Sequence, residues 1–209
     1  MKDRTQSYLP PLGEVDRRLI APRRRGLLSA ISVALALAAC AKPSAPAADI
    51  GGPFRLVDQN GTSVDQSILK GKWTAVYFGY TFCPDVCPTT LTALAQAQAR
   101  LGPKARDFRV VFITVDPARD SPSQLKTYLA SPAFPTGTEG LTGSPDQIAK
   151  VARAYRVYYR KDGGGAGYSV DHTSVVYLMD PRGAFSRPID FTAPPAAMAA
   201  EISQAMAQG

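Results

Sequence analysis

Three short, uninterrupted runs of apolar residues most constrain the fold of this chain. They cover residues 73–80 (WTAVYFGY), 108–115 (FRVVFITV) and 174–179 (SVVYLM). Continuous β-branched and aromatic runs of this length are typical of strands that are buried on both faces of a sheet. We therefore predict a central sheet that is covered on both sides.

Segments of helical composition alternate with these runs. An Ala- and Gln-rich stretch has no helix breaker before Gly102, and two further helices are expected after Asp120 and Ser144, which we predict as their N-caps. The Asn60-Gly61 pair predicts the turn of a small hairpin near the start. Alternation of this kind indicates an α/β domain with helices on both faces of the central sheet. The predicted helices cover residues 89–101, 121–129, 145–155 and 195–208.

The 209 residues divide by composition into three parts. Residues 1–39 contain seven basic and three acidic residues and end in an uncharged apolar run. This run is shorter than the roughly 20 residues of a spanning helix, so the segment is predicted to be a secretory signal. Residues 40–53 are rich in Ala and Pro and predict a flexible tether. Residues 54–209 are long enough for one well-buried domain.

Few residues are suited to metal or redox chemistry. The chain has three cysteines and one histidine, which excludes sites that need two histidines and scaffolds that are built on disulfides. The formal charge is +7, but residues 1–39 account for +4 of it. The domain therefore has no basic block, and we expect no binding to nucleic acid.

Cys83 and Cys87 stand in the motif YTFCPDVCP, where a predicted strand ends and a helix begins. Two cysteines four residues apart can reach one ion or each other. Pro88 suits the first turn of the helix, which would place Cys87 at or near the N-cap, where the helix dipole favours a thiolate. The alternative is a static disulfide or a buried structural pair.

His172 is the only imidazole of the chain, and it lies between a Gly-rich loop at 161–167 and the apolar run at 174–179. A single histidine is more often a surface or core residue than a ligand. At the end of a strand in the same sheet, however, it could face the cysteine motif. Asp171 or a backbone carbonyl would then orient the ring through its second nitrogen.

The sequence Leu37-Ala38-Ala39-Cys40 resembles the bacterial lipobox, in which the cysteine is lipidated and becomes the new N-terminus. The resemblance implies an exported protein that is lipid-anchored to the cell membrane at Cys40, with its domain facing the periplasm. The alternative is ordinary secretory cleavage nearby.

Several motifs together resemble the Sco/SenC family of copper chaperones for cytochrome c oxidase. They are YFGYTFCPDVCPTTL, ITVDPARD, GLTG, VARAYRVYYRK and VDHTSVVYLMDPRG, and the resemblance covers residues 54–183. It implies a thioredoxin-like fold and one copper ion per chain. It assigns copper ligation to Cys83, Cys87 and His172 and supporting roles to Asp116, Asp120 and Asp171. To these we add a redox role for the two cysteines and a supporting role for Asp85, which lies between them.

The chemistry of these ligands agrees with copper. Two thiolates and one imidazole are soft enough for Cu(I), and a further weak ligand would allow Cu(II). A closed zinc site usually has four protein ligands, and this chain has no fourth cysteine or second histidine. Together with this chemistry, the family resemblance implies a monomeric metallochaperone, not an enzyme, that delivers copper to the dinuclear site of cytochrome c oxidase subunit II. A further periplasmic copper chaperone or thiol oxidoreductase is a second expected partner.

Two other functions remain open from the sequence. The cysteine pair could act as a thiol-disulfide reductase that keeps the copper-site cysteines of the oxidase reduced, or it could sense copper or redox state. A peroxidase fits least, because Thr81 stands two residues before Cys83, whereas thioredoxin-fold peroxidases resemble a P-x-x-x-T-x-x-C pattern.

Overall fold

The computed structural model describes residues 50–209. The predicted signal at 1–39, the predicted lipidation site Cys40 and residues 40–49 of the predicted tether lie outside the described residues. At the described end of that tether, Ile50 packs against the core and the Gly51 N–H donates a hydrogen bond to the Ala154 carbonyl at 2.9 Å. Contacts with the domain therefore begin before residue 54.

Within residues 50–209, a seven-stranded mixed sheet forms the centre of the fold, with the strand order β2-β1-β5-β4-β3-β8-β9. Strands β3, β4 and β5 are parallel to one another, and the other pairs are antiparallel. A separate antiparallel hairpin is formed by β6 and β7. The strands are β1 Arg55–Asp58, β2 Ser63–Asp65, β3 Trp73–Gly79, β4 Phe108–Thr114, β5 Glu139–Thr142, β6 Tyr159–Asp162, β7 Ser169–His172, β8 Val176–Met179 and β9 Phe185–Ile189.

The three apolar runs form the middle of this sheet, as predicted. All seven residues of β3 are buried, and in β4 all but Arg109 are buried. The two strands pair in parallel from Trp73 opposite Phe108 to Gly79 opposite Thr114, and β8 pairs with the other edge of β3. Four helices flank the sheet in the described part of the chain: α1 Val86–Arg100, α2 Pro122–Leu129, α3 Pro145–Ala154 and α4 Pro195–Gln208. The predicted α/β class is confirmed.

The helix starts differ from two of the predictions. Ser144 caps α3 in a capping box with Gln147, as expected. The N-cap of α2 is Ser121, whose side chain accepts the Gln124 N–H, so the prediction of Asp120 as the cap is wrong. The Ser121 hydroxyl, one residue later, accepts an N–H of the first helical turn, whereas the buried Asp120 carboxylate is hydrogen-bonded to other groups.

The first turn of α1 also begins earlier than predicted. Its N-cap is Asp85, which places Cys87 second and Pro88 third in the helix. Proline is tolerated there because the first N–H groups of a helix have no intrahelical partner. Cys87 is thus near the N-cap, as predicted, but inside the first turn and not at the cap itself.

Short, polar strands escaped prediction from the sequence. These are β5, β7 and β9, and β6 extends over residues 161 and 162, which the sequence assigned to a Gly-rich loop. His172 belongs to β7, although the sequence placed it before a strand. Their patterns are weak because these strands are short or lie at edges, and β9 contains Pro188. Among residues 50–209, no helix is both long and apolar enough to cross a membrane.

Candidate metal-binding and redox site

The cysteine motif and His172 meet at the carboxyl ends of the parallel strands β3 and β4. Cys83 lies in the loop after β3, Cys87 lies in the first turn of α1, and His172 ends β7. Open α/β sheets commonly bind ligands at this edge. The structure thus brings together all three residues that the resemblance assigns to copper.

Cys87 is fully buried beneath this edge, and a glycine makes room for its sulfur. A Cβ atom on Gly79 would lie 2.9 Å from Cys87 Sγ and 2.8 Å from the Phe112 ring. Sequence reasoning missed Gly79. Its signal was a glycine inside a run of strand-forming residues, which often marks a close approach by another group.

Cys83 is more accessible, because it lies in the loop and is only partly buried. Its N–H donates a hydrogen bond to the Tyr80 carbonyl at 3.2 Å, and its Sγ accepts the Cys87 N–H at 3.4 Å. Both cysteines are free thiols. The pair therefore combines one exposed and one protected sulfur.

The two thiols differ in acidity. Hydrogen bonds from the Cys87 thiol, from the His172 side chain and from the N–H groups of Cys87 and Asp85 together lower the pKa of Cys83 to about 3, against the opposing effect of partial burial. As the donor of that shared hydrogen bond, and because it is buried, Cys87 has a strongly raised pKa. The thiolate of the reduced pair therefore lies on Cys83.

His172 presents one ring nitrogen to this pair. Its Nε2 is 3.6 Å from Cys87 Sγ, and its Nδ1 is 3.1 Å from the Thr173 carbonyl. Since a carbonyl can only accept, Nδ1 donates to Thr173, and Nε2 is the ring nitrogen that faces the cysteines. The Tyr77 and Tyr80 rings contact the imidazole in edge-to-face arrangements, at centroid distances of 6.5 and 6.0 Å.

The separation of Cys87 and His172 suits a shared ion. With bonds of about 2.3 Å to sulfur and about 2.0 Å to imidazole, as for zinc, two donors on one ion lie about 3.5 to 3.7 Å apart. The observed 3.6 Å fits. Among residues 50–209, however, no three His, Cys, Asp or Glu side chains are already arranged to hold a metal. Binding by all three donors therefore requires an adjustment, for which the Cys83 loop is the most exposed candidate.

Asp120 supports this loop from below. Its buried carboxylate accepts the Thr81 N–H at 3.0 Å, the Thr81 hydroxyl at 2.7 Å and the Thr114 hydroxyl at 2.6 Å. Gln124 donates to the Thr81 hydroxyl at 3.2 Å. Burial raises the pKa of Asp120, while these donors favour its ionised form. Asp120 thus fixes the start of the loop that carries Cys83.

Asp116 binds a neighbouring arginine and a tyrosine and not the cysteines. It forms an ion pair with Arg119 and accepts the Tyr168 hydroxyl at 2.7 Å. Arg119 lies in the ITVDPARD motif, but the sequence assigned it no role. Its guanidinium connects the cysteine loop to the β6–β7 hairpin, as developed below.

The two remaining predicted aspartates lie at the surface. Asp85 is in the loop between the cysteines, and its carboxylate accepts the Thr89 hydroxyl at 3.4 Å. Asp171 pairs with Arg160 at 3.2 Å, with both side chains more than half exposed. Asp171 therefore does not orient the His172 ring, because the backbone carbonyl takes that place.

Comparison with known proteins shows which family the chain resembles over its length. Residues 42–207 match the family model described as SCO1/SenC, so the match extends beyond residue 183 and includes β9 and α4. The chain is 48% identical over 141 residues to SCO1 homolog 1, mitochondrial, of Arabidopsis thaliana, which is 66% of this chain and 42% of that protein. The matched part thus spans less than half of this relative.

Two solved structures are informative. The copper-bound structure of Bradyrhizobium japonicum ScoI is 45% identical, with a TM-score of 0.68 over 74% of this chain and 98% of that chain. BsSco, described with a disulfide switch as a member of the Sco family of cytochrome c oxidase assembly proteins, is 26% identical, with a TM-score of 0.60 over 77% and 96%. The predicted thioredoxin-like fold is confirmed by this similarity.

Proposed function

The chain belongs to the SCO1/SenC family, and from this membership and the geometry of its site we propose that it is a copper-binding metallochaperone for cytochrome c oxidase. Copper is the cargo of this activity. The candidate ligands are Cys83, Cys87 and His172.

One observation carries the proposal: His172 Nε2 faces Cys87 Sγ at 3.6 Å, and Cys83 Sγ in the preceding loop accepts the Cys87 N–H. The donors come from two separate parts of the chain, and a purely structural cysteine pair needs no imidazole beside it. Two sulfurs and one nitrogen suit Cu(I), and the nitrogen makes Cu(II) acceptable.

The exposure of the donors supports transfer of the ion. Cys87 is buried, whereas Cys83 lies in the partly exposed loop. A partner's sulfur or imidazole can therefore approach from the side of Cys83 and bind the ion before Cys87 and His172 release it. Three protein ligands leave a position for this incoming group.

We further propose the dinuclear copper site of cytochrome c oxidase subunit II as the recipient, and anchoring to the cell membrane through a lipid on Cys40, with the domain in the periplasm. The family resemblance supports the first proposal. The basic, apolar and small-residue order of residues 1–39 before Cys40 supports the second. A monomer suffices, because one chain supplies all three donors.

Copper titration of the purified chain tests the ligands. We expect each chain to bind one equivalent of copper. His172→Ala should lower the affinity for Cu(II) at least about tenfold but the affinity for Cu(I) much less, because thiolates dominate Cu(I) binding. Asp171→Asn, next to the histidine, is the matched control and should bind copper as the parent does. Unchanged Cu(II) affinity in His172→Ala would refute the ligand assignment.

The biological role is tested in a strain that lacks the gene. The parent chain should restore oxidase assembly, and the Cys83→Ala and His172→Ala variants should not. Cys40→Ala should leave copper binding intact but release the protein from membranes. Restoration of the oxidase by His172→Ala would show that copper delivery is not the essential activity.

A second function is favoured by the unequal burial of the cysteines. Such a pair suits thiol-disulfide exchange, in which the Cys83 thiolate attacks a target disulfide and forms a mixed disulfide. Cys87 then attacks the Cys83 sulfur and displaces the target thiol, so the Cys83–Cys87 disulfide forms and the target gains two electrons, one proton from the Cys87 thiol and one from water. A reductase activity that survives His172→Ala but is lost in Cys83→Ala would favour this function.

A further inference from the structure

The position of His172 depends on a hairpin that lies outside the main sheet. Strands β6 and β7 pair only with each other among the described strands, and His172 pairs with Tyr159. Two-stranded hairpins are marginally stable by themselves, so tertiary contacts must hold this one in place. Those contacts determine where the imidazole stands relative to Cys87.

Arg119 lies between the cysteine loop and this hairpin. Its guanidinium carbon is 3.6 Å from the centroid of the Tyr168 ring, which directly precedes β7, and 4.7 Å from that of Phe82, which directly precedes Cys83. Its Nη1 donates a hydrogen bond to the Tyr168 carbonyl at 3.0 Å. One side chain thus contacts both parts of the candidate site.

Asp116 and Lys161 complete this arrangement. Asp116 is paired with Arg119 and accepts the Tyr168 hydroxyl at 2.7 Å, so one carboxylate holds both side chains. The Lys161 ammonium is also 3.6 Å from the Tyr168 centroid. Two cations cannot share one ring face at that distance, so Lys161 and Arg119 take opposite faces.

The clasp, as we call Arg119, Asp116 and Tyr168 together, is well shielded from solvent at its charged centre. The side chains of Arg119 and Asp116 are 15% and 5% exposed, whereas the pair between Arg160 and Asp171 on the same hairpin is 63% and 57% exposed. Screening by water is weak in the clasp and strong in the surface pair. The ion pair between Arg119 and Asp116 is therefore stronger than the one between Arg160 and Asp171.

We propose that Arg119 is a positioning residue that holds the His172-bearing hairpin against the cysteine loop and so sets the separation of His172 from Cys87. As far as it concerns copper, this inference rests on the proposed function. Without the guanidinium, the Tyr168 end of the hairpin loses its stacking and its hydrogen bond, and the Asp116 carboxylate loses its ion pair. His172 then becomes mobile while both cysteines stay in place.

The test uses Arg119→Gln in the full chain, with two measurements. Amide hydrogen exchange should become at least about tenfold faster across residues 159–172, because the hydrogen bond from the charged Arg119 guanidinium to the hairpin is lost. Exchange in β3 and β4 should change little. Cu(II) affinity should fall at least about tenfold, and Cu(I) affinity should fall by less than about threefold, because Cu(I) depends on the thiolates.

Variants of Tyr168 keep the proposal testable if Arg119→Gln does not fold. Tyr168→Leu removes the ring and should reproduce the Arg119→Gln pattern, whereas Tyr168→Phe keeps the stacking and should have a smaller effect. Arg153→Gln is the matched control, since Arg153 is exposed on α3, and it should change neither measurement.

Two outcomes would overturn the proposal. The first is unchanged exchange in β6 and β7. The second is exchange that rises equally in β3 and β4, with equal loss of Cu(I) and Cu(II), which would show general destabilisation. If the parent chain binds no copper, the proposed function fails, but the exchange measurement still decides whether Arg119 holds the hairpin.

Discussion

Replacement of Gly79 by alanine should displace the Cys87 sulfur of the candidate site and destabilise the core around it. The backbone of Gly79 lies in β3, so alanine is allowed by its conformation and the effect is steric. The new methyl group would meet Phe112 at 2.8 and 3.0 Å and Cys87 Sγ at 2.9 Å. Optimal contacts of such atoms are about 3.5 to 4.0 Å, so the sulfur and the ring must each move by roughly 0.7 Å.

The surroundings leave little freedom for this movement. Phe112 is fully buried, with the Tyr77 and Tyr128 rings at 6.1 and 6.0 Å. Overpacking of such a core costs about 1 to 3 kcal/mol, and the lower entropy of the unfolded alanine chain offsets about 0.5 kcal/mol of it. We expect Gly79→Ala to destabilise the reduced protein by about 2 kcal/mol.

Denaturant unfolding measures this loss, and copper titration reports the shift of the sulfur. Displacement of Cys87 Sγ alters its 3.6 Å separation from His172 Nε2, so Cu(II) affinity should fall at least about tenfold. Gly164→Ala is the matched control, because Gly164 has an extended backbone and open space around its Cβ position. That variant should match the parent in both assays.

Phe112→Leu separates the two collisions. In this background Gly79→Ala should cost less stability, because the ring is gone, but copper affinity should stay low, because the sulfur still collides. A Gly79→Ala protein that unfolds within about 0.5 kcal/mol of the parent and binds Cu(II) equally well would refute the argument.

Three further predictions concern the cysteine loop and its surroundings. Iodoacetamide should alkylate Cys83 of the reduced chain at about pH 5 nearly as fast as at neutral pH, because the folded pKa of about 3 keeps its thiolate until the pH falls toward that value; mass spectrometry should show buried Cys87 unmodified, and a rate that is already lost as the pH drops below about 8 would contradict this. Asp120→Ala removes three hydrogen bonds and should lower the free energy of unfolding by about 3 kcal/mol, whereas Asp107→Ala, from an exposed pair, should change it by less than about 0.5 kcal/mol; equal effects would contradict a special role for Asp120. Asp171→Asn should leave Cu(II) affinity within about threefold, because a backbone carbonyl orients the imidazole, and a larger loss would show that Asp171 contributes.

Much of the fold was predictable because its pattern is local. The runs that became β3, β4 and β8 bury both faces, so continuous apolar composition was sufficient to find them. Strands β5 and β7 have four residues each, and their pairing depends on partners far along the chain. The four-residue strand β8 stood out because all its residues are apolar and buried, whereas the mixed composition of β5 and β7 does not by itself distinguish a strand from a loop.

The roles of the aspartates show the same limit at the site. Sequence reasoning assigned supporting roles to four of them alike, but only position in space separates them. Asp120 is buried against Thr81 and Thr114, whereas Asp171 faces solvent with Arg160. The sequence does not show whether an aspartate holds a loop in place, as Asp120 does, or forms an ion pair at the surface, as Asp171 does.

The sequence by itself determined the chemistry that is available: two cysteines on one turn at the end of a buried strand, and a single imidazole. It could do so because residue type and short spacing are local properties. Only the tertiary structure decided that His172 Nε2 faces Cys87, that Gly79 makes room for the sulfur and that Arg119 joins the hairpin to the cysteine loop. The groups in each of these contacts are distant in the chain and meet only when the sheet and its helices pack.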